Sequence, residues 1–142
     1  MKREIEPDMP EIADDKVCFV VAMSRQLQAQ DEGVAPDASN PSDDGEAVAL
    51  TDAADKPMRR ELTQFIDAMD ADEQDALVAL AWIGRGDFEP SDWRSAVLEA
   101  ARRREGRTSA YLIDMPLLPD YLADALSAYD RSCADFDARE AP

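Results

Sequence analysis

The sequence predicts an all-α fold, a compact bundle of about six or seven short helices. Three observations carry that prediction. Apolar residues recur at i, i+3, i+4 and i+7 in one segment after another. No stretch sustains the apolar–polar alternation of a half-buried strand, and β-branched residues are scarce. The periodic segments open on acids or Ser and close near Gly, the usual helix punctuation.

Residues 1–13 are charged and carry Pro7 and Pro10, so they read as a flexible tail. The first helix is expected over 14–30. Val17, Val20, Val21 and Leu27 form its stripe, and Phe19 and Met23 widen it. Asp14 or Asp15 supplies the cap, at the positive end of the dipole. Residues 31–45, DEGVAPDASNPSDDG, read as an internal linker, because almost nothing there can be buried. Its end, SNPSDDG, reads as an ordered turn. Pro41 biases Asn40 toward extended backbone, and Asp43 and Asp44 can bond nearby N–H groups before Gly45. A short helix is expected over about 46–54.

The next helix, ending near 69, places Leu62, Phe65, Ile66 and Met69 on one face. Asp70 and Glu73 then have capping-box spacing. The helix they open, about 71–84, is apolar around most of its circumference, from Leu77 to Ile83. Such a helix belongs in the centre of a core. WIGRGDFEPSDW, residues 82–93, ends it and turns into a helix expected over about 92–105. Gly84 and Gly86 are read there as positions that tolerate positive φ. Ser91 is read as the next N-cap, with Trp93, Val97, Leu98, Ala100 and Ala101 facing inward and Gly106 as the stop. Thr108 is expected to cap a short helix through Tyr111 and Ile113. A final helix from Pro116 to about 130 presents Leu118, Tyr121, Leu122, Ala125, Leu126 and Tyr129. Residues 14–136 thus form one helical domain, and 137–142 a second flexible tail.

Composition excludes several functions. The 142 residues contain no histidine, which removes Ser–His–Asp and Cys–His catalysis and the commonest metal ligand. Net charge is −17, concentrated in residues 1–75, while 76–113 are close to neutral. Such a chain is repelled by nucleic-acid phosphates and by anionic membranes. The longest apolar run, VCFVVAM at 17–23, is far short of the roughly 18–20 residues of a membrane span. With no signal-like N-terminus, the expected compartment is the cytoplasm. Cys18 and Cys133 have no metal spacing, and in that compartment they are expected to stay as free thiols.

WIGRGDFEPSDW fails each test as a site. With Gly86 at position 6 of a calcium loop, Phe88 and Asp92 fit positions 8 and 12. The ligand positions 1, 3 and 5 are then Ala81, Ile83 and Arg85. What remains is an EF-hand-like helix–loop–helix corner without metal ligands. Gly84-x-Gly86 follows no strand and lacks a phosphate-loop pattern. Arg85-Gly86-Asp87 as an adhesion signal needs an extracellular loop. No metal and no cofactor is expected.

The one basic cluster is ARRREGR, residues 101–107. Bases suit a helix C-terminus, so solvation explains much of it. It is also the best candidate for binding an anion: Arg102, Arg103, Arg104 and Arg107 beside Thr108 and Tyr111. Free N–H groups at the Thr108 helix start would add to it.

Three long stretches carry a resemblance: SNPSDDG, ELTQFIDAMDADEQDALVALAWIGRGD and GRTSAYLIDMPLLPDYLADAL. Together they resemble the bacterial family called domain of unknown function 3775, over most of residues 14–136. The matching positions are Asn40 to Gly45, Trp82 to Asp87, and Leu117, Leu118, Asp120, Tyr121 and Leu122. Pro119 departs from the pattern but is tolerated early in a helix. The resemblance implies a bacterial, soluble domain and brings no catalytic residues with it. On the residues alone, the first functional expectation is a non-catalytic acidic module that binds another protein. The alternatives are an anion or small-molecule binder at Arg102–Arg107 and Tyr111, conceivably an enzyme, and a nucleic-acid mimic. Oligomeric state is left open.

Overall fold

The computed structural model describes residues 10–34 and 57–140. Among the described residues there are seven α-helices and no strand. They are α1 (Asp14–Val34), α2 (57–67), α3 (Ala71–Arg85), α4 (Trp93–Arg102), α5 (Thr108–Ile113), α6 (Leu118–Ala128) and α7 (Ala134–Glu140). The all-α class expected from periodicity is the one observed.

The apolar helix is central, as its composition requires. Every residue of α3 from Asp75 to Ile83 is buried. It packs against α6, α4 and α5, and α1 packs against α6. The capping box at its start is formed. The Asp70 carboxylate accepts the Glu73 N–H at 2.9 Å, and the Asp70 N–H donates to Glu73 Oε1 at 3.2 Å. One residue further on, the Gln74 side-chain amide donates to the Ile66 and Met69 carbonyls, tying the turn after α2 to the start of α3. Phe65 of α2 meets Phe19 of α1, ring centroids 4.3 Å apart.

α3 ends in a Schellman motif. Gly86 adopts φ 99°, its N–H donates to the Ile83 carbonyl, and the Asp87 N–H donates to the Trp82 carbonyl. Gly84 has a different role from the one expected. It lies within the helix, and a Cβ there would stand 1.8 Å from the Tyr121 carbonyl oxygen. It is glycine because α3 and α6 touch backbone to backbone. Loop 86–92 then joins α3 to α4, giving the expected helix–loop–helix corner. Phe88 stacks on Trp82 at 5.9 Å, Trp93 meets Tyr129 edge-on at 6.1 Å, and the Tyr129 hydroxyl donates to the Pro90 carbonyl at 2.6 Å.

Four further boundaries or faces differ from expectation. Ser91 does not cap α4; a single 3₁₀ turn, Pro90–Asp92, leads into it. The buried face of α4 is Trp93, Ala96 and Ala100, while Ala101 is exposed and Leu98 is 59% exposed. Five residues beyond Trp93 lies about 140° around a helix, so Leu98 cannot share its face. α4 stops at Arg102, and Gly106, at φ 71°, belongs to the following loop. Thr108 is the first residue of α5, not its cap, and is buried.

The ends pack together. Pro10 and Ile12 are buried although they lie before the boundary expected at 14. α1 continues through 31–34, which were expected in the linker, and α7 runs past 136 to Glu140. Cys18 and Cys133 are joined in a disulfide, Cα atoms 5.6 Å apart, contrary to the free thiols expected. The fold brings the two residues together across 115 positions of sequence, a proximity that spacing could not reveal. Arg131 reaches Asp14 and the Pro10 carbonyl, and Arg139 bonds Asp15 at 2.6 Å. The acids expected to cap α1 thus pair with arginines from the C-terminal segment. The turn at Asn40, Pro41, Asp43, Asp44 and Gly45, and the helix expected over 46–54, lie outside the described residues.

Candidate functional site

A cavity of about 230 Å³ lies where α3, α5 and the end of α4 meet. α3 contributes Asp75, Val78 and Trp82, which share one helical stripe. Ala100 of α4 lines it, followed by Arg103, Arg104 and Glu105 from the turn after that helix. Thr108 and Tyr111 of α5 complete it.

The basic cluster is divided by this geometry. Arg103 and Arg104 line the cavity. Arg102 pairs with Glu99, as Arg103 does, and Arg107 pairs with Asp67 at 3.5 Å; the side chains of Arg102, Arg103 and Arg107 are 72%, 69% and 71% exposed, so position and not exposure separates them. Neither Arg102 nor Arg107 belongs to the lining. Of the six residues predicted from the sequence, four therefore converge and two do not. α4 ends at Arg102, so the arginines after it do not continue its helical face.

Arg104 grips Asp75 with two donors, Nε at 3.3 Å and Nη2 at 2.6 Å. The Asp75 side chain is 8% exposed and that of Arg104 is 38%. The pairing holds the Arg104 guanidinium above its already high ordinary value, through its hydrogen bonds to Asp75 first and the charge of the same carboxylate second. Arg103 donates through Nε to Glu99 at 2.6 Å, and its guanidinium carbon lies 5.9 Å from the Trp82 ring centroid. That is within cation–π range. The Trp82 indole N–H donates to the Tyr111 hydroxyl at 2.9 Å, so the buried ring is satisfied and Tyr111 keeps its own proton to donate. Nearby, Arg85 bonds Asp87 at 2.8 and 2.6 Å. Asp87 chiefly raises Arg85 above its ordinary value; partial burial opposes this, and the Tyr111 oxygen adds to it.

Two central members, Asp75 and Trp82, were not read from the sequence as cavity residues. A signal was present. Asp75, Val78 and Trp82 stand at i, i+3 and i+7 on a helix with no solvated face, and a carboxylate on such a helix needs a partner. In the corner, Trp82 and Trp93 are buried, Gly86 and Asp87 form the end of α3, and Arg85 bonds Asp87. Among the described residues no group of three or more potential ligands is placed to hold a metal. Nor is any described helix long and apolar enough to cross a membrane.

The sequence matches the family described as "Protein of unknown function (DUF3775)" over residues 59–130, just over half the chain. The chain belongs to this family. The matched span runs from α2 to the end of α6 and so contains every cavity residue. No curated protein and no solved structure matches the chain significantly.

Proposed function

We propose that this domain binds a small molecule in the α3–α4–α5 cavity, with Arg103 and Arg104 as its polar anchors. The observation that supports this reading is convergence. Two arginines, a buried carboxylate, a phenol and a half-apolar wall from three helices meet around one concavity. Few surfaces on a small domain have that combination. Arginine is the side chain best suited to two-point contact with a carboxylate or phosphate. The reading replaces the protein-interaction module as the first choice. That alternative rests on composition and, among the described residues, on three exposed large apolar side chains, Leu98, Tyr111 and Leu117, which stand on separate elements. The charge is better read as solubilising than as mimicry of nucleic acid. Among the described residues, carboxylates held in ion pairs lie on α1, α2, α3, α4 and α6 rather than on one element.

A thermal-shift screen with small carboxylates, amino acids among them, and phosphates tests the proposal. We expect a ligand-dependent rise in Tm that Arg104→Gln and Arg103→Ala diminish and Arg107→Glu leaves in place. A screen in which no ligand shifts the unmutated protein removes the proposal. The cytoplasmic compartment expected from the sequence stands against the Cys18–Cys133 bond, because structural disulfides persist mainly in oxidising compartments. Alkylation of thiols in intact cells decides between them: labelled Cys18 and Cys133 support the cytoplasm.

A further inference from the structure

We infer that the cavity selects a zwitterion, a ligand bearing one carboxylate and one ammonium on a short frame with an apolar side chain, the chemistry of a free amino acid. The inference rests on the cavity being a small-molecule site. Its charged lining is balanced: Arg103 and Arg104 against Asp75 and Glu105. A lone anion entering would gain two cations and face two carboxylates. A phosphate dianion would meet the same carboxylates with twice the charge, within a chain of net charge −17. A lone cation has the mirror-image problem with the two arginines. A neutral ligand carrying both signs meets partners of both kinds and brings no net charge into a half-buried space.

The hydrogen-bond capacity fits as well. Arg104 uses Nε and Nη2 on Asp75, and Arg103 uses Nε on Glu99. No other bond is made by their remaining N–H groups among the described residues, so these can hold a carboxylate. Each Asp75 oxygen accepts one bond from Arg104 and has a second lone pair, which suits an ammonium donor. Val78, Ala100 and the Trp82 ring supply the wall for an apolar side chain.

The test is calorimetry on the full chain with matched probes: L-leucine, its deaminated form isocaproate and its decarboxylated form isoamylamine. The same is done with L-phenylalanine, hydrocinnamate and phenethylamine, with inorganic phosphate alongside. We expect at least one amino acid to bind about tenfold or more tighter than both of its single-charge analogues, because the amino acid meets both the remaining N–H groups of Arg103 and Arg104 and the remaining lone pairs of Asp75, whereas each analogue meets only one of these sets. Asp75→Asn is expected to abolish the preference over the carboxylate analogue. Should that variant fail to fold, Glu105→Gln, on the exposed side of the lining, is expected to reduce it. Equal binding of isocaproate and leucine, or tighter phosphate binding, overturns the zwitterion inference and leaves a small-molecule site standing. If no probe binds, the inference and the site both fall.

Discussion

A methyl group on residue 84 would sit 1.8 Å from a carbonyl oxygen of α6, and that carbonyl belongs to backbone that cannot swing aside. Gly84→Ala is therefore an overpacking mutation at the central helix contact, although it raises helix propensity. We expect a loss of about 3 kcal/mol in urea denaturation; a neutral or stabilising result would refute the close approach. Another residue carries a pH effect. The Glu73 carboxyl lies below its ordinary 4.5, first because Lys16 donates to it and second because the Asp70 N–H does, with burial opposing. A lowered carboxyl favours the fold above the unfolded pKa, and the benefit is lost as pH falls through the folded one. Stability should thus decline as pH drops below about 4.5. Glu73→Gln, which keeps an acceptor for Asp70 but not the charge, should flatten part of that decline in a series of thermal melts.

Among the elements, α7 depends most on a covalent tie. It is short and acidic, and isolated helices of such length are marginal in water. Phe136 packs against the core, Arg139 bonds Asp15, and Cys133, immediately before α7, is bonded to Cys18 in α1. The disulfide closes a loop that spans most of the chain, so its removal should cost about 2–4 kcal/mol. Reduction, or Cys133→Ala, is expected to lower the unfolding free energy read from urea denaturation by that amount. Hydrogen exchange should then quicken first in 134–140. Unchanged exchange there would mean that α7 is held by its packing alone. The end of α6 relies on local geometry instead. Asp130 takes φ 60° and the Arg131 N–H donates to the Leu126 carbonyl at 2.8 Å, the same terminal motif that glycine serves at the end of α3.

At the scale of the whole molecule, charge works against compaction. With −17 on 142 residues, like charges repel even after the observed ion pairs form. Screening should relieve this, since the Debye length falls from about 30 Å at 0.01 M salt to 3 Å at 1 M. We expect Tm to rise between low salt and about 0.5 M sodium chloride. A fall would mean that the exposed ion pairs, such as Arg139–Asp15 and Arg85–Asp87, outweigh the long-range repulsion. The cavity is also a whole-molecule property, because its three walls come from helices separated by turns whose geometry sets the spacing.

Much of the fold was legible in the residues. The all-α class, the central place of the 71–85 helix, the Asp70–Glu73 capping box and the glycine stop at residue 86 follow from local rules. Periodicity and capping act within a few positions of the chain, so a single sequence displays them. Tertiary structure decided what depends on approach between distant segments. It made Gly84 a contact point rather than a turn. It brought Cys18 to Cys133, and it turned Leu98 outward by burying the Trp93, Ala96 and Ala100 face of α4. It also divided the arginine cluster, taking Arg104 to Asp75 and Arg103 over Trp82 at the cavity and directing Arg107 away from it to Asp67. The physical reason is the same in each case. A short-range pattern specifies which face of a helix is apolar, but the neighbour that meets that face is chosen by the packing of the whole core.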